Sequence, residues 1–284
     1  MIDIIPHIKT AIILILIGLL LASMTTIFIL IAFPNYNGLT VAQIGLLIGE
    51  LFLPIPIYLW ARRIHADLKS FFRLNSVSLI TILTSIPLAL GVTILTDELD
   101  RIAQLVLHLP DQFTKIQEVL TIRDLLSAIF IIGVVIIIAP FIEEIIFRGF
   151  FQRILEYRLK DVTKAVLYSA LTFAIIHFNL WWAVQIYIIA VFMGYVAWRT
   201  NSIWIPFIIH AINNGTAVWF THQSESGLQW YQWKGHVSPI ILLFGLILFI
   251  LGIHWFIRVT PVHHKSDTAV RIEDLLNKPP YQPQ

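Results

Sequence analysis

The sequence predicts an all-α fold: a polytopic bundle of about eight membrane-crossing helices with both termini cytoplasmic. Three observations carry that expectation. Of the 284 residues 58% are hydrophobic and 13% charged, at a mean hydropathy of +0.82, and a soluble globule of this length could not cover so much apolar surface. Apolar runs recur along the chain, each near the ~20 residues a helix needs to cross hydrocarbon. Most of the 19 Lys and Arg gather in alternate connections, as short cytoplasmic loops do.

In order, the runs fall at 10–33, 41–60, 77–95, 124–146, 164–179, 181–198, 203–220 and 237–257. The first is too long for a signal-peptide core and lacks a basic leader or a small-residue cleavage site, so it is expected to be retained. Pro54 and Pro56 predict a kinked or re-entrant second run, with Glu50 just before them. The polar connection 96–123 carries Leu99, Ile102, Leu105, Val106 and Leu109 at helical spacing, which predicts a helix lying on the membrane surface. Pro140 is expected to kink the fourth run, which continues as a basic amphipathic helix to Arg158. Arg62, Arg63, Lys69 and Arg73 mark one side of the membrane, as do the basic residues from Arg148 to Lys164, whereas Arg101, Lys115, Arg123 and Lys234 mark the other. The chain divides into membrane spans plus the surface helix (1–121), a core (122–221), a last span (222–257) and a polar cytoplasmic tail (258–284). The absence of cysteine excludes disulfides, thiolate ligands and a cysteine nucleophile.

Charge interrupts the apolar text in three places. Residues 143–148 read Glu-Glu-Ile-Ile-Phe-Arg, and ionised groups at bilayer depth cost a few kcal/mol or more, so they face one another, water or a substrate rather than lipid. Phe173-x-x-x-His177 and His210-x-x-x-Asn214 carry matching polar insertions. Glu144 and Arg148 are i, i+4 and can pair; His210 and Asn214 share a face by the same rule, and Phe173 sits one turn before His177. The turn at Lys160–Thr163 sends the chain back, which places Glu143 and His177 level within a turn. His210 reaches that depth only if the hairpin of the fourth and fifth runs protrudes into the cytosol. The chemistry that fits is addition of water to a carbonyl, with Glu143 and His177 deprotonating the water and His210 and Asn214 donating to the oxyanion. Arg148 would keep Glu144 ionised.

These residues resemble the membrane-embedded protease family that includes the CAAX prenyl endopeptidases and the bacteriocin-processing or immunity proteins (CPBP or Abi). The resemblance rests on Glu143, Glu144, Arg148, Phe173, His177, His210 and Asn214 in that order. Phe-Arg-Gly-Phe-Phe-Gln-Arg at 147–153 and Ser-Ile-Trp-Ile-Pro at 202–206 add to it, and it covers about residues 122–221. It implies peptide-bond cleavage in a membrane-associated protein or peptide near the cytoplasmic face of the membrane, by metallo- or glutamate-type chemistry. A bacterial cytoplasmic membrane is the expected location. Glu143, His177 and His210 are ordinary Zn2+ donors, so a zinc site and a metal-independent site stand as equal alternatives.

Other readings compete with hydrolysis. The same pocket could bind a peptide without cutting it, as an immunity or scaffold protein would, or Glu143 and the histidines could relay protons in a transporter. No His-Glu-x-x-His, Gly-x-Ser-x-Gly or P-loop pattern is present, and the basic loops are explained by orientation and anionic lipid rather than nucleic acid. Glu50 has no accompanying motif, which favours a structural role. His263 and His264 are too isolated for a metal site.

Overall fold

The computed structural model describes residues 5–34, 38–107, 121–224 and 226–260. Ten helices are described: α1 (Ile8–Ala32), α2 (Gly38–Phe52), α3 (Ile55–Arg63), α4 (Leu68–Phe71) and α5 (Leu79–Gln104), followed by α6 (Leu125–Leu159), α7 (Val162–Ile176), α8 (Ala183–Thr200), α9 (Trp204–Thr221) and α10 (Pro239–Val259). Strands β1 (Gln232–Trp233) and β2 (His236–Val237) form a small antiparallel hairpin before α10.

Six helical stretches are long and apolar enough to cross a membrane: α1, the α2–α3 unit over Thr40–Arg63, α5, α6, α8 and α10. The fifth expected crossing, α7, has 15 residues, and at 1.5 Å per residue it extends about 22 Å, short of the ~30 Å of hydrocarbon. The seventh, α9, carries His210, Asn213 and Asn214 in its second half. Among the described residues six candidate crossings are therefore present, and α7 and α9 are not among them. The second run breaks between Phe52 and Ile55, at Pro54, as its prolines lead one to expect. The third continues to Gln104, so Leu99 and Ile102 belong to α5 and not to a separate surface helix; residues 108–120 of that expected helix lie outside the described residues, as does the tail from 261 on.

Local chemistry sets the helix ends. Ser78 caps α5, Asp124 caps α6 with a reciprocal bond to Ser127, and Asp161 caps α7 by accepting the Lys164 N–H. Within α6 two π-helical stretches, Ile131–Ile138 and Ile145–Phe151, flank Ala139–Glu144. Each closes on an i→i−5 bond, Ala139 N–H to the Val134 carbonyl and Gln152 N–H to that of Phe147. Such wide turns accommodate Pro140, which lacks an N–H, and they occur often at functional sites.

The bundle core centres on α6. Phe147, Phe150 and Phe151 are buried among Ala165, Ala170 and Phe173 of α7, Met193 of α8, and Ile205 and Ile209 of α9. One end of the bundle is defined by hydrogen bonds. Arg158 donates to the Ile5 and Pro6 carbonyls, and Arg199 donates to the Ile257 carbonyl and Thr260 hydroxyl. Both ends of the described chain therefore lie on the side where α6 and α8 end.

Candidate active site

Consecutive residues Glu143 and Glu144 point to different surroundings. Glu144 is fully buried; its Oε1 accepts from Arg148 Nη1 at 2.8 Å and from His210 Nδ1 at 2.9 Å. Arg148, 1% exposed, also donates to the Ala190 carbonyl of α8 and lies 4.5 Å above the Phe173 ring. The expected Glu144–Arg148 pair is therefore present, and it is shared with a histidine from another helix. A buried pair is stabilising only when its remaining groups are also bonded, and here Arg148 meets a carboxylate, a carbonyl and an aromatic face.

Glu143 is partly exposed and turned toward two histidines. Its Oε2 has no hydrogen-bond partner, yet it stands 4.0 Å from His177 Nε2 and 3.8 Å from His210 Nε2. Both imidazoles are oriented from behind: His177 Nδ1 donates to the Phe173 carbonyl at 2.6 Å, and His210 Nδ1 donates to Glu144. Each Nδ1 thus carries hydrogen and each Nε2 is turned toward Glu143. Phe173 is the hub of this arrangement, edge-on to His177 at 4.5 Å and to His210 at 5.8 Å between centroids. The i+4 spacing of Phe173 and His177 serves two contacts, ring on ring and carbonyl on Nδ1.

Asn214 lies one turn beyond His210, but its Nδ2 donates to the Val135 carbonyl at 3.0 Å. That bond ties α9 to the first π-helical stretch and leaves one amide N–H over. Asn213 donates to the Asn214 side-chain oxygen. Glu50 comes closer than its sequence suggests: α2 packs against Ala139–Glu144, Glu143 is its charged neighbour, and its buried Oε2 has no hydrogen-bond partner.

The α6–α7 turn extends beyond the start of α9. Arg73 bridges the Arg148 carbonyl, Glu156 and Asn201, so the start of α9 stands beside Arg148–Glu156 rather than beside Lys160. The turn then projects about 6–18 Å past it.

A zinc ion with bonds of about 2.0–2.2 Å holds tetrahedral ligands roughly 3.3 Å apart. The Glu143–histidine separations are wider. Among the described residues no three His, Asp or Glu side chains gather closely enough to hold a metal ion. Separations of 3.8 and 4.0 Å are of the length that a single bridging water spans between two polar atoms.

Sequence reasoning missed the residues behind the site. Gln152, fully buried, donates to Glu156 and to the Gly194 carbonyl. The signal was there: Glu144, Arg148, Gln152 and Glu156 form an i+4 polar stripe. Phe141, two residues before Glu143, stacks on Trp204 and lies edge-on to Phe207, and carried no such signal.

No curated protein and no solved structure matches the chain. Residues 125–216, about a third of it, match the family model described as type II CAAX prenyl endopeptidase Rce1-like. The matched stretch runs from the start of α6 to just past Asn214 and contains all three polar motifs, so the segment that builds this site is of the CAAX protease family.

Proposed function

We propose that the protein is an intramembrane endopeptidase of glutamate type that cleaves a membrane-associated protein or peptide. One observation supports it above the rest: two imidazole Nε2 atoms converge within 4.0 Å on an unpartnered Glu143 carboxylate oxygen. A water in that gap gives one hydrogen to Glu143 and the other to His177. Glu143 takes the proton as the water oxygen attacks the scissile carbonyl carbon, and the carbonyl π-electrons move onto oxygen. His210 can donate from Nε2 only as imidazolium, because Nδ1 is already committed to Glu144. The buried Glu144 carboxylate offsets that charge, much as an aspartate orients and stabilises a catalytic histidine elsewhere. The imidazolium N–H and the spare Asn214 N–H then stabilise the oxyanion. On collapse, Glu143 returns its proton to the departing amine nitrogen, and the C–N bond breaks. The active site opens toward the cytoplasmic side in this reading, because residues 5–6, residues 257–260 and the basic connections lie where α6 ends.

Purified protein in lipid nanodiscs is to be assayed on a quenched farnesylated CAAX peptide, and membrane proteomes compared between wild type and Glu143→Gln. Cleavage that resists chelators and disappears in the variant is the expected result. Chelator-sensitive cleavage overturns the glutamate-type mechanism. Retention of the biological effect by the variant favours peptide binding without cleavage, and pH-driven solute flux in vesicles favours transport.

A further inference from the structure

The stretch that carries the motifs begins at residue 125, yet the site leans on a residue far upstream. We propose that Arg73, in the connection between α4 and α5, is a positioning residue that sets the Glu144–His210 geometry; the inference rests on the peptidase reading of that site.

Arg73 is 1% exposed, although its neighbourhood in sequence is a polar loop. Its guanidinium joins three elements. Nη1 donates to the Arg148 carbonyl at 3.1 Å, Nη2 pairs with Glu156, and Nε donates to Asn201 Oδ1 at 3.2 Å. Its own carbonyl accepts from the Ile203 N–H at 3.0 Å, directly before α9. Glu156 and Arg148 belong to the helix that bears Glu143 and Glu144, while Asn201 and Ile203 lead into the helix that bears His210. One side chain and one carbonyl therefore fix the two catalytic helices against each other.

The local structure is built around this contact. The Ile145–Phe151 stretch is π-helical, and where the helix returns to its ordinary i→i−4 register a carbonyl loses its helical partner. Arg148 lies at that return, and Arg73 supplies the donor. Gly149 permits the approach, since a Cβ there would stand 2.6 Å from the Phe72 carbonyl oxygen. Arg153 reinforces it by donating to the Ser70 and Phe71 carbonyls. Asn75 and Ser202 add two bonds of 2.7 Å between the same segments. Arg73 itself holds φ at 55°, a left-handed conformation that is unfavourable for a non-glycine residue. Strain of this kind persists where the surroundings over-determine the backbone, and it clusters at functional sites.

A lysine keeps the charge but cannot reach three acceptors in three directions. The test compares full-length wild type, Arg73→Gln, Arg73→Lys and the exposed control Arg63→Gln in nanodiscs. Three quantities are read: cleavage of the farnesylated CAAX peptide, melting temperature, and the ring 15N resonances of His210, identified by their loss in His210→Gln. For Arg73→Gln, kcat is expected to fall about 10- to 100-fold with KM unchanged, and the His210 resonances to move. Arg73→Lys should fall between, and Arg63→Gln should match wild type. Unmoved His210 resonances overturn the proposal, whether or not kcat falls, because positioning acts through that ring. If Arg73→Gln does not fold, Arg73→Lys carries both readings. If wild type cleaves no peptide, the peptidase reading fails while the His210 resonances still decide the positioning role.

Discussion

Between α5 and α10, Gly91 and Gly252 bring the backbones so close that a Cβ on either would stand 2.5 Å from a backbone nitrogen of the other helix. Between α6 and α8 the contact is instead polar, with Arg148 and Gln152 donating to the Ala190 and Gly194 carbonyls. Small residues join helices by shape, which suffices for stability in lipid. Directional bonds from rotamer-fixed side chains do more, because they specify where individual atoms sit. The difference assigns work to each half: the α5–α10 joint holds the bundle together, and the polar joints around α6 hold a geometry.

That division can be broken by substitution. The largest effect is expected from Glu143→Gln, which removes the proposed base but no packing contact. Its kcat should fall about 10²- to 10⁴-fold with the melting temperature unchanged, as read by peptide cleavage alongside thermal unfolding. Glu144→Leu comes next and should damage both quantities. It strands the buried Arg148 guanidinium and frees His210, and breaking one side of a buried pair costs about 3–5 kcal/mol. A Glu144→Leu protein that melts like wild type would argue that the pair contributes nothing. Gly91→Ala inverts the pattern: overpacking should cost about 1–3 kcal/mol of stability, while kcat and KM of the folded fraction stay as in wild type. A kinetic effect there would dissolve the distinction between the two joints.

The smallest effect lies at the α6–α7 turn. The Asp161 carboxyl is held below its ordinary range, chiefly by the hydrogen bond from the Lys164 backbone N–H. Its contribution is therefore complete above the usual carboxylate range and is lost as pH falls through the lowered value. Asp161→Asn, which still caps the helix, should leave the melting temperature at neutral pH nearly unchanged and flatten its decline in acid.

Much of the site was legible because its residues are polar in an apolar text. Glu143, Glu144, Arg148, His177 and His210 stand out against hydrocarbon-length runs, and their i+4 spacings announce shared faces. The two-sided nature of the glutamate pair was not legible, since adjacent carboxylates look alike until helix packing turns one toward Arg148 and the other toward His177 and His210. Asn214 was read from spacing as a donor to the reaction, and the structure first gives it to the Val135 carbonyl, a partner that exists because two helices cross there. Arg73 was hidden by its surroundings. In a loop with Arg62, Arg63 and Lys69 it reads as one more orienting charge, and only the fold separates the buried guanidinium from the solvated ones. The reach of α7 was not legible for a related reason, because apolarity marks a run as lipid-compatible but its 15 residues decide how far it extends.

The projecting α6–α7 hairpin changes what a substrate has to do. His210 lies six residues into α9, about 9 Å from the start of that helix at 1.5 Å per residue. On the proposed peptidase reading, with the start of α9 at the headgroups, a scissile bond needs to dip only that far. A tethered chain end or a stretch just outside an anchor can make that excursion while staying hydrated along most of its length, whereas a fully spanning helix would first have to unwind.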